Sequence, residues 1–223
     1  MMSGVSLKRT DLLVSAGTLA LVVLALALMA ATGNTGEFLA WAWERHHNVL
    51  SWYIRPLFFL PFCCFAHRRS VSGMMLTLVA LATSMFWFPA PERADPTTLE
   101  FLAVEREYLT GDWTAAKVLM ASLVPISFAA LGLAFWKRSI VYGLVLLNVV
   151  VLVKLAWSFY FGDLSGGLTL LPTALAGLAI CDAVILYVVR RMRGRRSSSE
   201  PLRRAGQRSP SPAVTHADLS RKG

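Results

Sequence analysis

Long apolar stretches recur along most of this chain, separated by short polar breaks. A helix crossing the ~30 Å hydrocarbon core of a bilayer needs about 20 mostly apolar residues. Six segments have that character: 12–32, 49–66, 71–88, 117–136, 140–161 and 168–189. The second is the weakest, because Arg55, Pro56 and Pro61 interrupt it. A re-entrant version of this segment would leave His67, Arg68 and Arg69 on the opposite face. The first segment follows Lys8 and Arg9 as a signal peptide does, but its apolar stretch exceeds the ~7–15 residues of such a signal. It is therefore expected to be retained. The pattern predicts an all-α integral membrane protein, a bundle of six transmembrane helices occupying residues 1–192.

Between the third and fourth spans, Pro89, Pro91 and Pro96 break the chain. Thr97-Thr98-Leu99-Glu100 then reads as a capping box, starting an outer helix over about 98–110 that Gly111 ends. Its apolar residues do not keep to one face, which suits a helix in the headgroup layer or against the bundle mouth. Asp112 is expected to cap the fourth span. Residues 193–223 are rich in Arg, Ser, Pro and Gly. Such a segment buries too little surface to offset its ordering entropy, so a disordered basic C-terminal tail is expected.

Composition supports lipid as the solvent. Of 223 residues 56% are hydrophobic, and the mean hydropathy is +0.55, against about 45–50% apolar in soluble domains. The formal charge is +9 and the pI near 10.0. The basic residues flank apolar runs or lie in the tail, which argues for membrane orientation and anionic headgroups at the inner face, and against nucleic acid.

With the N-terminus inside, the inner segments hold sixteen Lys and Arg against three acids, and the outer segments four against nine. Cytoplasmic loops collect Lys and Arg, so both termini are expected to be cytoplasmic, in a multi-pass protein of the cell (inner) membrane. The inner loops, 67–70 and 137–139, can only join antiparallel neighbours. Their turns look alike, Arg68-Arg69-Ser70-Val71 and Lys137-Arg138-Ser139-Ile140, each soon followed by a glycine (Gly73, Gly143). That is either a faint internal duplication or what any positive-inside hairpin looks like. Aromatic residues such as Trp41, Trp43, Trp52 and Trp113 mark the outer boundaries, as an interfacial belt does.

Four polar groups deep in the predicted spans stand out: Arg55, Lys154, Asn148 and Asp182. An ionisable group there normally faces the bundle interior with a partner or a purpose. At ~1.5 Å per residue, Arg55 lies about 9 Å and Lys154 about 10 Å below the outer end of its span, and Asp182 about 10 Å from the inner end. Three readings compete. Arg55 and Lys154 snorkel to headgroups or to the acidic outer loops, where Glu44, Glu100, Glu105, Glu107, Asp112 and Asp163 lie. Alternatively the two cations share a cavity and hold an anion. In the third, Lys154 and Asp182 belong to an ion-coupled pathway with Asn148 between them.

Glu44 and His47 have the i, i+3 spacing of carboxylate metal centres, but a full centre needs more ligands; they are weak metal candidates. Thr173, Gly177 and Cys181 form a small-residue stripe suited to close helix packing. Cys63, Cys64 and Cys181 form no CxxC pattern. There is no Gly-rich phosphate loop, HExxH or nucleophile elbow, and no cofactor is expected. These features favour a small permease or lipid-handling protein for an anionic or amphipathic substrate. The alternatives are an accessory or scaffold subunit, packing on a membrane-protein partner or a second copy, and a membrane enzyme using outer carboxylates such as Glu44 or Glu107.

Overall fold

The structure, a computed structural model, describes residues 9–161 and 163–206, with side chains in 9–159, 168 and 170–191. Lys8 and the tail from 207 to 223 lie outside the described residues, as do the side chains of Tyr160 and Asp163. Every regular element among them is helical: α1 (Arg9–Thr32), α2 (Thr35–His46), α3 (Leu50–Ile54), α4 (Phe59–His67), α5 (Val71–Thr83), α6 (Pro96–Thr110), α7 (Ala115–Trp136), α8 (Ile140–Phe161) and α9 (Asp163–Gly206). Two compact units result, Met1–Ala183 and Val184–Gly223. The second holds the end of α9, which stays helical through Gly206, over part of the segment expected to be disordered. Extending an existing helix avoids the unfavourable nucleation step, so a sequence too polar to pack can still be helical.

Four helices are long and apolar enough to cross a membrane: Arg9–Thr32, Ala115–Trp136, Ile140–Phe159 and Leu170–Arg191. The second predicted span is instead a composite. Pro56 has no N–H to donate to the preceding turn, and Arg55–Phe58 tightens into a 3-10 helix between α3 and α4. Together these pieces run Leu50–His67, bent 84° from α2. Asn48 holds the bend: its Oδ1 accepts from Leu50 N at 3.0 Å, and its Nδ2 donates to Pro89 O at 3.0 Å. The third predicted span is Val71–Phe86, a shorter apolar helix. It ends in a 3-10 turn, Ser84–Phe86, and reaches roughly 25 Å at the helical rises of about 1.5 and 2.0 Å per residue.

In the first unit α4 packs against both α5 and α7, α7 against α8, and α1 against α5. Phe128 of α7 stacks on Phe59 and meets Phe62 edge-on, each with centroids 5.4 Å apart. Phe62, Cys63, Ala66, Leu131 and Phe135 are buried around them. The small stripe on α9 packs as its spacing suggests. Thr173 and Cys181 are buried, a Cβ on Gly177 would lie 2.2 Å from Pro56 Cβ, and the Cys181 thiol donates to Pro56 O at 3.4 Å. By contrast, no side chain of α1 is buried.

The two short hairpins close alike. Arg69 and Arg138 both adopt φ +59, the left-handed conformation that ends many helices. Ser70 N bonds Phe65 O at 3.0 Å and Arg69 N bonds Ala66 O at 2.9 Å; Ser139 N bonds Ala134 O at 3.1 Å and Arg138 N bonds Phe135 O at 2.8 Å. These are the paired bonds of a Schellman motif. Each hairpin then seats a glycine on the phenylalanine eight residues earlier, Gly73 on Phe65 and Gly143 on Phe135. Asp11 joins this end of the unit, accepting from Ser70 Oγ at 3.0 Å, Val71 N at 2.7 Å and Ser72 N at 3.2 Å, and from Ser72 Oγ. A carboxylate at a helix N-terminus satisfies free N–H groups and complements the helix dipole.

Candidate functional site

At the opposite end of the first unit lies a cluster of charged and aromatic side chains. Asp95, not Thr97, caps α6: its carboxylate accepts from Thr98 N at 3.1 Å and also from the Thr97 hydroxyl. Those two bonds hold the Asp95 carboxyl below its ordinary range. Pro96 takes the first helical position, where its missing N–H does no harm. With this start, Thr98, Leu102 and Glu105 face the same way. Thr98 and Leu102 are buried, and Phe101 meets Trp52 edge-on with centroids 5.4 Å apart. α6 thus packs by one face against this end of the bundle. Thr114, rather than Asp112, caps α7 by accepting from Lys117 N at 3.3 Å.

His46, the last residue of α2, is the centre of the cluster and only 4% exposed. Trp43 and Trp52 flank its ring at centroid distances of 5.6 and 5.9 Å, and Trp52 Nε1 donates to its carbonyl at 3.1 Å. Arg55 Nη2 lies 3.1 Å from His46 Nδ1. A guanidinium can only donate, so Nδ1 accepts and the proton sits on Nε2, which lies 3.4 Å from Glu105 Oε2. The chain of contacts is thus Arg55, His46, Glu105, drawn from three separate elements. Burial pushes the Glu105 carboxyl up. The His46 hydrogen bond and the fields of His46, Lys154 and Arg55 outweigh it and hold the carboxyl below its ordinary range.

The four candidate groups inside the predicted spans therefore divide into two sets. Arg55 reaches Glu105 through His46, and the charge of Lys154 bears on the same carboxylate, which sequence reasoning placed only among the outer acids. Asn148 and Asp182 pair with each other: Asn148 Nδ2 lies 3.3 and 3.1 Å from the two Asp182 oxygens and 2.9 Å from Leu144 O. Interhelical bonds of this kind contribute about 0.6 kcal/mol on average. The charge of Lys154 bears on Glu105, while Asn148 and Asp182 bond each other. About six residues of α8, roughly 9 Å of rise, separate the two sets.

Glu44 and Glu107 are exposed, and His47 is half-buried. Among the described residues no three His, Cys, Asp or Glu side chains gather as a metal site. The buried imidazole is the neighbouring His46, which sequence reasoning did not single out. One signal for it exists: Ala42 and His46 are four apart on α2, and both are buried. Of the tryptophans that mark the predicted boundaries, Trp43 and Trp52 flank His46. Trp41 packs on Phe38 and Phe86 and lies under Arg45, whose Cζ is 4.0 Å from the ring centroid.

Fold and site define the class: an α-helical membrane protein with a charged cluster at one end of its bundle. Beyond that class, no family model matches the chain, and neither a curated protein nor a solved structure matches it.

Proposed function

We propose that this chain is a small multi-pass permease or lipid-handling protein whose outer mouth receives the anionic group of an amphipathic substrate, anchored by Arg55 and Lys154. One observation carries the reading: Arg55 Nη2 lies 3.1 Å from His46 Nδ1 and His46 Nε2 lies 3.4 Å from Glu105 Oε2, so a cation, an imidazole and a carboxylate from three elements meet at one end of the bundle. That carboxylate stands where an incoming anion would be held, and α6 brings it there. His46 orients the Arg55 guanidinium, and Trp43, Trp52 and Phe101 supply apolar wall for the rest of the substrate. In this arrangement the chain passes the membrane six times, with both termini in the cytoplasm.

The test uses purified protein in detergent. Tryptophan fluorescence is titrated with a long-chain alkyl phosphate, an alkyl carboxylate and the matching alcohol. The two anions should bind and the alcohol should not. Arg55→Gln and Lys154→Gln should each weaken anion binding about tenfold, the value of one charge-assisted hydrogen bond. Glu105→Gln, which removes the internal competitor, should tighten it. Equal binding of anion and alcohol, or anion binding indifferent to Arg55→Gln, would sink the proposal.

A second reading, an accessory subunit, draws on α1, none of whose side chains is buried. Stoichiometric co-purification of a membrane partner that is lost on changing the exposed face of α1 would favour it.

A further inference from the structure

The other end of the first unit carries a separate feature. Arg68 and Arg69 end one hairpin turn, Lys137 and Arg138 the other, and all four are exposed. The sequence separates the pairs by the whole of α5, α6 and α7, but the fold sets them side by side. Arg69 Nε donates to Trp136 O at 3.4 Å. His67 lies close to the Phe135 backbone and in the field of Arg138. Since Arg138 follows Trp136 by two residues, the Arg69 guanidinium meets the second turn within ~7 Å of backbone of Arg138.

None of the four cations has an acidic partner among the described residues. Asp11 lies beside the first turn, and it is committed to the start of α5 through Ser70, Val71 and Ser72. The patch borders apolar helix surface on α7 and α8, where Leu133 and Val141 are exposed. It thus joins a dense positive charge to a surface suited to acyl chains.

We propose that the two basic turns form one composite site for a phospholipid whose headgroup carries two phosphates, one held by each turn. Two arginines present planar forks that match phosphate oxygens in pairs. A single phosphodiester engages one turn and leaves the other unmatched; two joined phosphodiesters engage both. The site uses none of the residues assigned to the outer mouth, so each proposal stands or falls alone.

The experiment is native mass spectrometry of the full chain, released from detergent with three lipids: one with two phosphodiesters on a single glycerol, phosphatidylglycerol at twice the concentration to match charge, and phosphatidylcholine. The two-phosphate lipid should be retained in preference to the others. The double variant Arg69→Gln, Arg138→Gln should bind it about 10- to 30-fold more weakly. The variant Arg69→Lys, Arg138→Lys keeps the charge that fixes orientation and should fold, yet lose the preference for two phosphates. Equal retention of the two anionic lipids overturns the proposal. So does a preference that survives the Gln variant, which would assign the lipid to the basic tail. Complete displacement by inorganic pyrophosphate overturns it too, because the occupant would then be a soluble diphosphate.

Discussion

Glu105 is the residue on which the cluster with His46 and Arg55 turns. Its carboxyl is held below the ordinary range although burial alone would raise it. A carboxyl lowered in the folded state adds stability that is fully present above its unfolded value and is lost as the pH falls through the folded one. Thermal unfolding of the wild type and of Glu105→Gln should therefore differ near neutrality and converge in acid, below the ordinary carboxylate range near pH 4. A difference that persists at about pH 3 would mean that Glu105 acts by packing rather than by charge. The effect should be modest, since the Glu105 side chain is 39% exposed and water screens its partners. Arg55 and Lys154 were visible in the sequence because charge inside an apolar run is conspicuous. His46 was not, because its neighbours Glu44, Arg45 and His47 are all polar. Only the bend at Asn48, held by a bond to Pro89 41 positions away, turns His46 inward and leaves Glu44 in solvent.

At the level of elements, local chemistry was legible wherever the chain settles its own geometry. The two basic turns are such a case: each needs a left-handed residue and a short link, and each closes with the same pair of backbone bonds. The α6 helix was placed correctly in the sequence but given the wrong cap. Thr97 and Asp95 both can cap, and Pro96 favours Asp95 because its fixed φ fits the first helical position and it keeps the residue before it extended, as a cap needs and as Asp95 is. The second span was the least legible, since its course depends on Pro56 meeting α9. That contact is also the most sensitive one. A side chain at Gly177 would meet a rigid ring, with Pro56 Cβ only 2.2 Å from the new Cβ. Gly177→Val should destabilise the protein by about 1–3 kcal/mol, read as a lowered unfolding temperature in detergent. Gly36→Val, where nothing lies within 4 Å, serves as the control and should show far less. A similar loss in both variants would mean that helix propensity, and not the contact with Pro56, sets the cost.

At the scale of the whole molecule, the placement of charge predicts how the chain lies in the bilayer. In the first unit Asp11 and both basic turns share one end, while Glu105, Arg55 and His46 share the other. Lys and Arg collect on the cytoplasmic side of membrane proteins, so the turn end should face the cytoplasm and α6 the outside. This orientation needs Leu50–His67 and Val71–Phe86 to cross as well, although the first contains a 3-10 break and the second is short. Two short apolar helices can cross where the bilayer thins or flanking side chains snorkel. Replacing Cys63, Cys64 and Cys181 and then introducing single cysteines gives the decisive measurement. Glu107→Cys on α6 and Leu39→Cys on α2 should react in intact cells with a membrane-impermeant maleimide, and Lys137→Cys and Arg68→Cys only after permeabilisation. Labelling of Glu107→Cys and Arg68→Cys from the same side would mean that Leu50–His67 and Val71–Phe86 do not cross as a pair. The outer mouth and the phosphate-binding turns would then share one leaflet, and a substrate anchored at Arg55 could not be handed from one side to the other.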